Sequence, residues 1–166
     1  YQPCDKCMVK LECEEPDGWF VSRNVLKFIN ITASGVQLRE GFIFISIALG
    51  NLDGLLSKST FSNISQVVSI HGKRESNQFF ITLLVVHCMF FQCAHSTQGG
   101  ALQILLLKGL LLKADFWIKD CKFVQTIASS GGSVSIDAQK HITVNSYQVW
   151  LQILNCTFIN ASSQEY

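Results

Sequence analysis

From about residue 21 the chain is a succession of short apolar runs separated by polar turns. The runs are rich in Val, Ile, Phe and Thr, the breaks in Gly, Ser and Asn, and Pro does not recur after residue 16. This punctuation predicts short strands and not helices. Three runs repeat one phrase: His87-Cys88-Met89-Phe90, Asp120-Cys121-Lys122-Phe123 and Asn155-Cys156-Thr157-Phe158. Residues two apart in a strand share a face. Cys88 with Phe90, Cys121 with Phe123 and Cys156 with Phe158 are therefore expected to point inward, and Met89, Lys122 and Thr157 outward. His87, Asp120 and Asn155 are expected on that outward side as well. Further apolar strands are expected at 43–49, 79–86, 105–118 and 147–154.

The phrase belongs to a longer repeat. Phe28, Phe61, Phe90, Phe123 and Phe158 are spaced 33, 29, 33 and 35 residues apart, a period that marks stacked repeats. Each unit reads as a strand, a polar turn and a second strand, with a glycine pair in the turn of the third and fourth units (Gly99-Gly100 and Gly131-Gly132). The period leaves room for three short strands per unit. Helical repeats would need Ala/Leu/Glu/Lys-rich segments at 3.6 spacing, and leucine-rich repeats their Leu-x-x-Leu-x-Leu phrase with its Asn; neither occurs. The fold class predicted is all-β, a right-handed parallel β-helix (solenoid) of about five coils over 21–166. Residues 1–20 carry Cys4, Cys7, Cys13, the acidic run around Glu14 and the turn Pro16-Asp17-Gly18. They are read as a loop-rich N-terminal segment, either the end of a preceding module or a cap on the first coil. The last unit stops where its glycine pair would come, and an uncapped solenoid exposes strand edges. More chain, a neighbouring domain or self-association is expected to continue the stack through its coil ends.

Composition narrows the partners. Of 166 residues 48% are hydrophobic and 15% charged, with a net charge of +1, so no electrostatic footprint for nucleic acid is present. The charge run Lys73-Arg74-Glu75 reads as a solvated loop. The most apolar stretch, 101–112, is interrupted by Lys108 and Gly109 and falls short of the ~20 residues a membrane-spanning helix needs. The chain opens on Tyr1-Gln2-Pro3-Cys4, which is read as a mature or cropped segment. Seven cysteines are an odd number, so at least one is free or pairs elsewhere. Four N-glycosylation sequons begin at Asn30, Asn63, Asn155 and Asn160. Together with the cysteines they favour the secretory pathway and an extracellular or cell-surface location, with N-linked glycans and no other cofactor.

The phrase Cys-x-Phe, a small polar turn, then Gly-Gly-Ala/Ser-Leu/Val-x-Ile resembles the repeats of pectin-lyase-like β-helix proteins and is similar to the polymorphic outer-membrane protein repeats. The resemblance covers residues 24–166. In the bacterial repeat Asn stands three after the Phe; here it stands two after it, at Asn30, Asn63 and Asn160, which tilts the resemblance towards a eukaryotic secreted relative. It implies the fold class and carries little about function.

Candidate chemistry is sparse. Cys88, Cys121 and Cys156 are expected in one column on consecutive coils, about 4.8 Å apart, either as a ladder of buried thiols or with one disulfide among them. Cys93 is placed in a turn, within reach of a neighbouring loop. Cys4, Cys7 and Cys13 form half a zinc motif with no fourth ligand nearby and are read as a structural staple. Asn30, Asn63 and Asn160, with Gln92 and Gln125, are expected to hold one turn position, as an amide ladder or as glycan acceptors. Glycoside hydrolysis needs two carboxylates a few ångströms apart, and Glu40, Asp53, Glu75, Asp115, Asp120, Asp137 and Glu165 share no column on adjacent coils. His71, His95 and His141 have no evident Ser or Cys partner, so no catalytic residue is assigned. The His87-Asp120-Asn155 stripe is read as a solvated wall. Trp117 and Trp150 are expected to pack in the core or at a coil edge. The expected function is that of an extracellular structural or surface module, a rigid glycosylated scaffold or assembly unit. A carbohydrate-binding or carbohydrate-active β-helix with its catalytic coils elsewhere is the alternative.

Overall fold

The computed structural model describes residues 7–13, 23–35, 41–47, 51–72, 79–106, 111–138 and 148–163. Every regular element in them is a strand, and no helix occurs among the described residues. Numbered in chain order, the strands form four parallel sheets. The first takes β1 (Cys7–Cys13), β4 (Gly41–Ile47), β7 (Val68–Gly72), β11 (Leu102–Leu106) and β15 (Val134–Ala138). The second takes β2 (Arg23–Ile29), β5 (Asn51–Ser57), β8 (Phe79–Val86), β12 (Leu111–Lys119) and β16 (Gln148–Leu154). The third takes β3 (Thr32–Ser34), β6 (Thr60–Ser62), β9 (Met89–Phe91), β13 (Lys122–Val124) and β17 (Thr157–Ile159). A short fourth sheet takes β10 (Ala94–Gln98), β14 (Ile127–Ser130) and β18 (Ser162–Ser163).

Within each sheet the strands follow chain order, so each interior strand is flanked by its equivalents from the preceding and following units. Val86, for example, pairs with Ser57 on one side and Lys119 on the other. Register keeps like faces together. In the second sheet Leu52, Ile81 and Ala114 stack in one inward column and Leu56, Val85 and Ile118 in another, all buried. Between them lie Gly54, Leu83 and Phe116. A Cβ at Gly54 would stand 2.9 Å from Leu83 Cδ1, so the glycine makes room for its larger neighbours. One buried cluster joins inward residues of the first, second and third sheets, from Ile43 and Ile70 through Leu52 and Phe116 to Phe61 and Phe123.

The third sheet holds the aromatic column. Phe61, Phe90, Phe123 and Phe158 stack with centroids 5.7, 4.8 and 4.8 Å apart and rings within 13° of parallel. The strand repeat of ~4.8 Å sets that spacing, and the first three rings have no exposed surface. Phe28 does not belong to this column, contrary to expectation. It lies in β2 opposite Leu56, and the third sheet's first inward residue is Ala33, opposite Phe61. The first unit is 28 residues in register (Ile29 to Ser57), and the coincidental 33-residue spacing of Phe28 to Phe61 hid this.

Three other expectations change. The N-terminal segment is not all loop: β1 pairs in parallel with β4 along its length, from Cys7 opposite Gly41 to Cys13 opposite Ile47. The single strand expected over 105–118 is two, β11 and β12, in different sheets. The polar turn after the Phe contains strands β10 and β14, because a small outward residue and a buried Ala128 or Cys93 suffice there. The strand expected at 79–86 is β8. Cys4, Glu40, Glu75, His141, Glu165 and the second strand expected near 36–38 lie outside the described residues.

Candidate functional site

Expected chemistry concentrates at two bends, one on each side of the third sheet. At the first bend Asn30, Lys58, His87, Asp120 and Asn155 all have φ between 50° and 57°. Each of the first four donates its N–H to the residue that ends the next unit's second-sheet strand: Asn30 to Ser57 O, Lys58 to Val86 O, His87 to Lys119 O and Asp120 to Leu154 O, at 3.0–3.1 Å. At the second bend Gly35, Asn63, Gln92, Gln125 and Asn160 are likewise left-handed, with N–H bonds from Gly35 to Ser62 O, Asn63 to Phe91 O, Gln92 to Val124 O and Gln125 to Ile159 O. The left-handed region disfavours side chains other than Gly and Asn, and the interunit bond holds each residue there. Asn30 is thus a first-bend residue. Of the expected column of Asn30, Asn63, Gln92, Gln125 and Asn160, only Asn30 is displaced, and Gly35 takes its place at the head.

The residue after each first-bend position turns inward and caps the strand behind it. Ser59 Oγ donates to Ser57 O at 2.7 Å, Cys88 Sγ to Val86 O at 3.3 Å, Cys121 Sγ to Lys119 O at 3.2 Å and Cys156 Sγ to Leu154 O at 3.3 Å. The column is therefore Ile31, Ser59, Cys88, Cys121, Cys156. Ile31 N–H donates to Ser59 Oγ (3.1 Å) as Cys88 N–H does to Cys121 Sγ (3.5 Å). Ser59 stands two before Phe61 as Cys88 stands two before Phe90, a signal in the sequence that was passed over. Cys88, Cys93, Cys121 and Cys156 are free thiols. Cys93 lies in the core and not at the surface of a turn. It has no exposed surface and points inward after Gln92, capping Phe91 O at 3.7 Å. Cys7 and Cys13 begin and end β1.

Burial dictates how these thiols ionise. The hydrogen bond from Cys121 lowers the pKa of Cys88. The same contact with Cys88, reinforced by burial, pushes Cys121 well above the usual thiol range. Desolvation raises Cys156 and pushes Cys93 up to about 11. Reactive cysteines sit in electropositive, partly exposed surroundings; apart from half-buried Cys156, these are enclosed. Among the described residues no group of three His, Cys, Asp or Glu is placed to hold a metal.

The outer side chains of the bends are polar ladders. Asn155 Nδ2 donates to Asp120 Oδ1 at 2.5 Å, and His87 Nδ1 lies 3.8 Å from Asp120 Oδ2. Gln92 Nε2 donates to Gln125 Oε1 at 3.1 Å, above a shallow groove of about 540 Å³ lined by Asn63, Gln92, Ala94, Gln125, Ile127 and Asn160. All four sequon asparagines are exposed, followed by an inward residue and then by the Ser or Thr. A left-handed bend selects this same order. The bend accounts for the triplets without a glycan, and the exposure leaves the acceptors open to one.

His71 does have a serine partner: Ser69 Oγ lies 3.0 Å from its Nε2, and Ser69 also contacts Gln103 Oε1 at 3.4 Å. Ser69 is buried and the ring packs edge-on to Phe44 at 4.9 Å, so the pair is a packed hydrogen bond with no room for a substrate at the hydroxyl. The tryptophans are also misjudged from sequence. Trp117 and Trp150 lie in outward columns of the second sheet, 39% and 56% exposed. Comparison with protein families, curated proteins and solved structures finds no match.

Proposed function

We propose that the chain is a right-handed parallel β-helix of about five coils that serves as a rigid extracellular scaffold or assembly module, glycosylated at its bends. The observation that carries this reading is the register. The three five-stranded sheets each take one strand per unit, in chain order and in parallel, and the bend residues join one unit to the next. Such a stack resists bending because each interior strand is bonded on both sides, and solenoids of this kind present long outer walls. The likeness of its Cys-x-Phe and Gly-Gly phrases to pectin-lyase-like repeats supports the same reading. No two described carboxylates stand on adjacent units of one column, so the wall supports binding and structure better than sugar cleavage. Exposed Trp117 and Trp150 favour a second reading, a carbohydrate-binding β-helix.

Intact mass spectrometry of chain secreted from eukaryotic cells, before and after glycosidase, tests the proposal, with peptide mapping at Asn30, Asn63, Asn155 and Asn160. Occupancy of at least one site is expected. Four bare sites on secreted protein would overturn the glycosylated reading and leave the bends as purely structural ladders. Specific retention of one polysaccharide on a glycan array would overturn the scaffold reading in favour of the second.

A further inference from the structure

We propose that the outer face of the second sheet is the surface through which two copies of this chain pack side by side. The proposal rests on the scaffold reading and extends it from the coil ends to the flank. Register places Leu55, Leu84 and Trp117 in one outward stripe on β5, β8 and β12, with Phe80 and Trp150 beside it. Phe80, Leu84, Trp117 and Trp150 are 42%, 36%, 39% and 56% exposed. The outer face of the first sheet offers nothing comparable, since Phe44, Ser46, Ser69 and Gln103 are already buried there.

Size, charge and chemistry favour a second copy as the occupant. Five strands ~4.8 Å apart and seven residues long at ~3.3 Å each make a face of roughly 500 Å². Two such faces bury about 1,000 Å², the threshold of a specific interface, and flat sheets pack face to face through interdigitated apolar side chains. A face that meets itself must not carry strong like charge at its centre. Of the ions beside the stripe, Lys113 and Asp115 pair with each other at 2.8 Å, and Asp53 faces outward on β5 in the column of Thr82 and Asp115. Lys27 lies on the outermost strand β2, and Lys119 at the bend end of β12. The sequon asparagines stand at the bends beside the third sheet, so glycans there leave the middle of this face open.

Sedimentation velocity of the whole chain over a rising concentration series tests this, with Leu84→Lys and Trp117→Lys on the face and Met89→Lys on the third sheet's outer side as control. All three sites are already exposed, and circular dichroism with a thermal melt checks that each variant folds. Dimeric wild type is expected, with dissociation constants raised roughly tenfold or more by each face variant and unchanged by the control. A wild type that stays monomeric throughout would overturn the proposal, as would a dimer indifferent to both face variants. So would tryptophan quenching by a neutral oligosaccharide on a monomeric chain, which would give the face to carbohydrate. Glycans at the bends of a monomeric chain would refute this interface and leave the scaffold reading standing. Bare asparagines in a face-sensitive dimer would uphold the interface and remove only the glycosylated part of the scaffold reading.

Discussion

Cys93 shows what a single side chain contributes to this architecture. It has no exposed surface and its thiol is pushed up to about 11 by desolvation. In the unfolded chain a thiol ionises near its ordinary value of ~8.5. Below that pH both states keep the proton and the contribution is fully present. As pH rises towards 11, only the unfolded chain releases it, so stability falls. The loss by pH 11 is about 3 kcal/mol by linkage. Chemical denaturation from pH 7 to 11 should show wild type losing that much more stability than Cys93→Ala, which lacks the group; equal slopes would remove the thiol from the account. The inward position of Cys93 was illegible because its neighbours Gln92 and Ala94 read as turn. The left-handed φ of Lys58, His87 and Asp120 was illegible for a related reason. Local propensity assigns that conformation to Gly and Asn, but here bonds to the next unit hold it against propensity.

Among the elements, the bends are less tolerant than the strands. At Gly100 a Cβ would meet Gly132 O at 2.5 Å, Ile127 O at 2.7 Å and Cys93 O at 3.0 Å. All three atoms are backbone and none can step aside without breaking the ladder, in which Gly100 N–H donates to Gly132 O at 2.7 Å. Gly35, unlike Gly100, has a positive φ, of 70°, yet nothing lies within 4 Å of its Cβ position. Gly35→Ala should therefore cost only the left-handed penalty of about 1–2 kcal/mol, and Gly100→Ala clearly more, measured as shifts in denaturant midpoint at unchanged slope; similar costs would mean the bend relaxes. The glycine pairs were legible as turns because they recur eight or nine residues after Phe123 and Phe90. The same phase made Cys88, Cys121 and their Phe partners legible as inward. It failed for Phe28, where an unrelated aromatic fell in step, and for β1, whose cysteines and acidic neighbours mask a strand that earns its place only by pairing with β4.

For the whole molecule, the register makes a statement about cooperativity. Val86 pairs with Lys119, and His87 and Asp120 occupy the same bend position one unit apart. Deleting residues 87–119 therefore joins Val86 to Asp120 as one unit already joins its strand to its bend. The shortened chain would place β13 after β8 and bring β15 beside β7, with Phe123 next to Phe61 in the aromatic column. Stability in a stack is approximately a sum of unit and nearest-neighbour terms. The deletion should then leave a folded, all-β protein that unfolds cooperatively at a lower temperature. Removing residues 87–102 instead cuts a unit part-way, from its first bend into β11, and joins Val86 to a first-sheet strand. Inward and outward residues would lose their phase in every later unit, and no cooperative transition is expected. Circular dichroism melts of the two deletions separate the possibilities. If both unfold alike, or if the whole-unit deletion does not fold, the units are not interchangeable layers, and the chain holds together as one indivisible core.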